Sequence, residues 1–207
     1  MRHDRSPFDR VVQFSDGVVA IAITLLVLPL TEINAGEYDG DLGDLVSDNS
    51  DRLLAFAISF AVITLFWLAH HRVFARLKAI DSTITMINMV WLACIVFLPF
   101  PTALMEEGSS SSFVSFYIAC LLVTSLVLKW LSMVIERRPQ LWAEPSNAVT
   151  REGSVRGWLI SAGFALAFLM SFLSPALGLY SLLVLILVDP IANVVSRRAE
   201  RGEPVTR

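Results

Sequence analysis

An all-α polytopic membrane protein with six transmembrane helices per subunit is the fold class this sequence predicts, and three observations predict it. Mean hydropathy is +0.64, only 17% of the 207 residues are charged, and apolar residues come in runs long enough to cross a bilayer. Soluble domains carry about 25% charged residues and keep their apolar positions periodic, because one face of each element meets water. A disordered chain needs the opposite balance, low hydrophobicity with high charge. The basic residues sit between apolar runs instead of forming one basic face, so no nucleic-acid partner is expected. The partners implied are the lipid bilayer, further copies of the chain, or a solute that crosses the membrane.

A helix crosses the hydrocarbon core, about 30 Å thick, with roughly 20 residues. Six stretches qualify, at about 11–30, 53–77, 82–105, 113–135, 155–173 and 176–195. The first holds Asp16 and outruns the apolar core of a secretory signal, so Arg2, Arg5 and Arg10 ahead of it do not make it a cleaved leader. Asp81, followed by Ser82 and Thr83, offers an N-cap to the third span. Pro29, Pro99, Pro101, Pro139, Pro145 and Pro175 fall near span ends. Only Ser174 and Pro175 separate the last two spans, which calls for a tight helical corner. Residues 1–207 therefore read as a single six-helix domain, closing in a polar cytoplasmic tail over 197–207. Cys94 and Cys120 each lie within an apolar run and read as small buried hydrophobes.

Orientation follows from the alternating loops. With six spans, every Lys and Arg except Arg52 falls on the side that holds both termini. The other side carries Glu32, Glu37, Asp39, Asp41, Asp44, Asp48, Asp51, Glu106 and Glu107. Both termini are thus expected in the cytoplasm of a multi-pass cell-membrane protein. The acidic stretch from Thr31 to Asp51 reads as an external loop, which either raises the local cation concentration or simply obeys the topology rule.

Charges inside spans are costly and mark either function or a structural anchor. On the first helix Ile21, Thr24, Leu25 and Leu28 recur at i, i+3, i+4 and i+7 and make one narrow stripe. Asp16 lies about 130° around the wheel from that stripe. If the stripe faces a symmetry axis, Asp16 faces its own subunit. The second span ends Trp67-Leu68-Ala69-His70-His71-Arg72-Val73-Phe74, and the third carries Asp81, Thr85 and Asn88 at i, i+4 and i+7. A network of Asp16, Ser15, His70 or His71, and Asn88 would satisfy these buried polar groups without water. A proton relay through the same groups is the rival reading. Asp189-Pro190 and Asn193 read as a kink with a locally paired carboxylate, and Glu136 with Arg137 and Arg138 as a solvated helix end.

Absences narrow the chemistry. Adjacent histidines on a helix point about 100° apart with no third ligand one turn on, so no fixed metal is expected. Zincin, nucleophile-elbow, phosphate-loop and dinucleotide motifs are all missing, and an enzyme is not expected. No Thr-Val-Gly-Tyr-Gly loop is present to build a re-entrant potassium filter.

Arg10-x-x-x-Phe14-Ser15-Asp16, followed by Gly17-Val18-Val19-Ala20-Ile21-Ala22-Ile23-Thr24-Leu25-Leu26-Val27-Leu28, resembles the first-helix signature of the bacterial relatives of transmembrane protein 175, the endolysosomal potassium channel. The likeness continues through Trp67, His70-His71-Arg72, Phe74, Asp81 and Asn88 to Pro99-Phe100-Pro101-Thr102-Ala103-Leu104. Beyond Met105 only span count and topology match. The resemblance implies six helices per repeat, a cation pore lined by the first helices without a re-entrant filter, and a homotetramer for a chain with one repeat. It places a hydrophobic constriction on Ile21, Leu25 and Leu28, and a selectivity-linked threonine at Thr24. Phe14, Ser15 and Asp16 would hold the first helix against helices two and three, although the wheel sets Phe14 nearer the stripe.

The function expected is a potassium-permeable cation channel, modestly selective for K+ over Na+, gated by dewetting of its hydrophobic rings. K+ would pass transiently near Thr24, and no cofactor is expected. The alternative is a proton-coupled secondary transporter using Asp16, His70 and Asp189.

Overall fold

The computed structural model describes residues 7–38, 41–107, 111–143 and 151–183. The described elements are helical: α1 (Pro7–Leu25), α2 (Leu28–Thr31), α3 (Leu42–Asp48), α4 (Ser50–Phe74), α5 (Ser82–Phe97), α6 (Pro99–Glu107), α7 (Ser111–Glu136) and α8 (Arg151–Leu173), with further helical backbone over 175–183. Four stretches are long and apolar enough to cross a membrane, namely Pro7–Thr31, Ser50–Phe74, Ser82–Met105 and Ser112–Glu136. A shorter apolar helix runs over Gly157–Leu173. Most of the expected sixth span, with Asp189, Pro190 and Asn193, lies outside the described residues, as does the 197–207 tail.

Two spans are jointed. The third bends at Pro99, whose missing N–H interrupts the ladder, and Leu98 N–H turns instead to the Ile95 carbonyl at 3.1 Å. The first tightens after Leu25: Leu26 N–H meets the Ile23 carbonyl and Val27 N–H the Thr24 carbonyl, both at 3.3 Å, before α2 resumes with Pro29 inside it.

The second span ends at Phe74, three residues short of the expected Leu77. Leu77 instead forms an isolated antiparallel bridge with Trp142. Lys78 N–H donates to the Leu141 carbonyl and Ala143 N–H to the Arg76 carbonyl, both at 2.9 Å. Asp81 caps α5 by accepting from Ile84 N–H at 2.9 Å and pairs with Arg138, so the two loops between α4 and α5 and after α7 are clasped together. The stretch expected as an acidic loop folds in part: Asp41 caps α3 through Gly43 N–H at 2.7 Å, and Asn49 donates to the Tyr38 hydroxyl at 3.0 Å.

The core forms where α7 packs on α8 and α5, and α1 on α4 and α5. Trp91, Tyr117, Phe74 and Ile118 are fully buried there. Association inside a bilayer relies on close packing and interhelical hydrogen bonds, since lipid is as apolar as leucine. Ser115 bonds Ser171 at 2.7 Å and Ser125 donates to Ser161 at 3.3 Å across α7 and α8. Ser59 on α4 bonds both Thr102 on α6 and Tyr117 on α7 at 2.9 Å. Cys94 and Cys120, expected as small buried hydrophobes, are free thiols of intermediate burial, and Cys120 packs against the core.

The corner at Ser174 brings the following helix hard against α8. A Cβ added at Gly178 would lie 2.8 Å from Ser171 Cβ and 2.9 Å from Ile118 Cδ1, closer than real side chains come. Gly178→Ala should lower stability by about 1–3 kcal/mol, read as a drop in the detergent melting temperature. An unchanged melting temperature would mean that this contact is not made.

Candidate permeation path and its anchoring network

Helix α1 has two unlike faces. Ser15, Val19, Ala22 and Leu26 are buried at i, i+4, i+7 and i+11 against α4 and α5. The other face is bare in the subunit: Phe14 is 56% exposed, Ile21 61%, Leu25 38% and Leu28 54%, with Thr24 exposed between them. Phe14 therefore sits on the bare side with the stripe and not among the anchoring contacts. At Gly17, on the same side, an added Cβ would meet nothing within 4 Å. Because the helix tightens at Leu26, Leu28 stands on a turn wound differently from the one that carries Ile21 and Thr24.

Thr24 has a defined hydroxyl orientation. Its O–H donates to the Ile21 carbonyl at 2.8 Å, which leaves the oxygen lone pairs turned away from that bond and available to a cation.

The buried face is pinned by two separate polar chains where one was expected. In the first, Ser15 O–H donates to the Val11 carbonyl at 2.8 Å, so its oxygen accepts from Asn88 Nδ2 at 2.9 Å. That fixes the Asn88 amide with its oxygen toward His70 Nε2, 2.8 Å away, and puts the proton on Nε2. His70 is sandwiched between the rings of Phe74 and Trp91, at centroid separations of 4.2 and 4.3 Å. Asn88 is wholly buried, and both Ser15 and His70 nearly so.

In the second chain Trp67 Nε1 donates to Asp16 Oδ1 at 2.9 Å. His71 lies exposed with its ring 5.7 Å from that of Trp67. Neither histidine hydrogen-bonds Asp16, contrary to the expected network, because the indole N–H reaches the carboxylate first. Trp67 was visible in the sequence only as part of a family likeness. An isolated tryptophan in an apolar run carries no signal of a donor's target.

Asp81 joins neither chain, since α5 needs it as a cap and Arg138 as a counter-ion, while Thr85 folds back on the Asp81 carbonyl at 2.9 Å. Arg10 is exposed on the first helix. Glu136 is not a plain solvated end: it lies 3.7 Å from the nearly buried Lys129 and accepts from Ser132 at 3.3 Å. Lys129 stands 5.8 Å over the Trp158 ring, a cation–π contact between α7 and α8. Among the described residues, no group of three or more His, Cys, Asp or Glu could hold a metal ion.

The geometry is that of a helix fixed along one side and bare along the other, and comparison with known proteins gives it a lineage. Residues 10–99 match the family described as the endosomal/lysosomal potassium channel TMEM175. A protein named as a potassium channel from Streptomyces collinus is 30% identical, over 82% of this chain and 85% of its own. Another so named, from Chamaesiphon minutus, is 32% identical over 83% and 89%. The crystal structure of a lysosomal potassium-selective channel TMEM175 homologue from Chamaesiphon minutus superposes with a TM-score of 0.77 at 29% identity, covering 91% of this chain and 98% of that one. The chain is a membrane protein of the TMEM175 family, whose members are ion channels and not enzymes.

Proposed function

We propose that this chain forms a homotetrameric, potassium-permeable cation channel of the cell membrane, with six helices per subunit, both termini cytoplasmic and no re-entrant filter. Four copies of α1 line the central pore. The observation that carries this reading is the bare face of α1, where Ile21, Thr24, Leu25 and Leu28 lie exposed while the opposite face is held by hydrogen bonds. Among the four long apolar helices of the described residues, the first is the least buried in its own subunit. Rings of Ile21, Leu25 and Leu28 dewet the closed pore, and small rotations of α1 open it. Four Thr24 oxygens replace part of the water shed by K+, which yields modest preference over Na+.

Purified protein in liposomes tests the reading. Flux down a K+ gradient that does not saturate, needs no second ion and exceeds Na+ flux supports it. Absence of flux until a proton or counter-ion gradient is imposed would favour the carrier alternative. That alternative has less support, since Asp16 and His70 each hold a hydrogen-bonded partner and stand in separate chains. Thr24→Val keeps shape and removes the oxygen. It should lower the K+/Na+ permeability ratio by about two- to tenfold, the range of one hydrogen bond per site, and an unaltered ratio would take Thr24 out of the path.

A further inference from the structure

We propose that Arg10 forms a ring of four guanidinium groups at the cytoplasmic mouth of the pore and restricts the entry of cations from that side. This rests on the pore reading above. Helix α1 runs unbroken from Pro7 to Leu25, so one wheel describes its whole length. Arg10 stands eleven residues before Ile21, about three turns, and falls within about 20° of it. The face between them is bare throughout: Arg10, Phe14, Gly17, Ile21 and Thr24 recur at i, i+4, i+7, i+11 and i+14, and each is exposed in the subunit. The buried row of Ser15, Val19 and Ala22 lies on the other side. Arg10 therefore shares the outlook of Ile21, about 17 Å nearer the cytoplasm.

Its charge is not spent within the subunit. Among the described residues Arg10 joins no ion pair. Asp9, its neighbour in sequence, is turned about 100° away and lines a cleft with His71 and Phe74 of α4. Asp16, on the inner side of α1, accepts from Trp67. A guanidinium does not lose its proton in a protein, so four copies place four fixed positive charges around one mouth. Such a ring lowers the local concentration of a permeant cation. Four unit charges about one screening length from the axis deplete K+ by about two- to fivefold at 0.1 M salt. At 1 M the screening length shrinks from about 10 to 3 Å and the effect all but vanishes. Ions from outside cross the constriction before they meet the ring, so outward current is reduced more than inward.

Inside-out patches from cells expressing the full chain test the assignment, in symmetric KCl at about 0.1 M and about 1 M. Arg10→Gln and Arg10→Lys are compared with the unaltered protein. At the lower salt Arg10→Gln should raise the ratio of outward to inward K+ current about two- to fivefold, while Arg10→Lys keeps the unaltered ratio; the higher salt should erase the difference. A ratio unmoved by Arg10→Gln would overturn the inference and leave the channel standing. So would a shift that persists at high salt or that lysine shares, because the cause would then be the fold and not the charge. If Arg10→Gln fails to reach the membrane, the unaltered protein and Arg10→Lys still decide: in both, the ratio must rise with salt, and a ratio independent of salt overturns the inference. No current from the unaltered protein would overturn the pore reading, and this assignment with it.

Discussion

Ile21→Asn should raise the basal potassium current of the reconstituted protein about tenfold or more. Ile21 is 61% exposed in the subunit and contributes little to its packing, so the substitution acts on the path and not on the fold. An isoleucine side chain favours an apolar over an aqueous environment by about 1.5–3 kcal/mol. In the proposed tetramer, replacing it with an amide in all four copies removes the reason for water to withdraw from the ring. A barrier lowered by only about 1.4 kcal/mol already gives a factor of ten in rate. The comparison needs equal protein per vesicle and an unchanged melting temperature. Current that stays at the unaltered level would mean that Ile21 is not the closed constriction.

Asn88→Leu should have the opposite character, a large loss of stability with no direct route to selectivity. The substitution keeps volume and removes two interhelical bonds, one to Ser15 on α1 and one to His70 on α4. Ser15 keeps its bond to the Val11 carbonyl, but His70 stays behind in a dry site with its Nε2 unpaired. Leaving that group unpaired costs about 1–3 kcal/mol and losing the Asn88–Ser15 bond about 0.5–1.5 kcal/mol, so a total of about 2–4 kcal/mol is expected. In a chain of this size that is about 5–10 °C of melting temperature. A melting temperature within error of the unaltered protein would show that the Ser15–Asn88–His70 chain does not hold α1.

The sequence disclosed some layers of this molecule better than others, for physical reasons. Apolar runs as long as the bilayer are read from composition alone, and Pro7–Thr31, Ser50–Phe74, Ser82–Met105 and Ser112–Glu136 follow the expected spans within a few residues. The bare stripe of α1 was legible because a 3.6-residue period fixes which side chains share a face. Partner choice was not legible. Asp16 could be assigned to its own subunit by angle, yet whether it meets an imidazole or an indole depends on the depth and rotation of α4, which no periodicity encodes. The Ser59, Thr102 and Tyr117 hydroxyls went unnoticed because each is a lone polar atom in an apolar run, and only packing brings them within 2.9 Å. Leu77 was read as the end of a helix and Trp142 as part of a loop, because two residues of extended backbone leave no alternating pattern.

That clasp sets an order of events during synthesis. Residues 76–78 pair with 141–143, and Asp81 with Arg138, so the turn between α4 and α5 finds its partner only after α7 has been made. Until then the nascent chain presents Asp81 as a cap without its counter-ion and a turn with unpaired backbone groups. The contacts of α1 with α4 and α5 need no later segment, so the α1 anchor can close first. Closing the strap afterwards depends on completion of α7 and ties the turn between α4 and α5 to the segment that follows it.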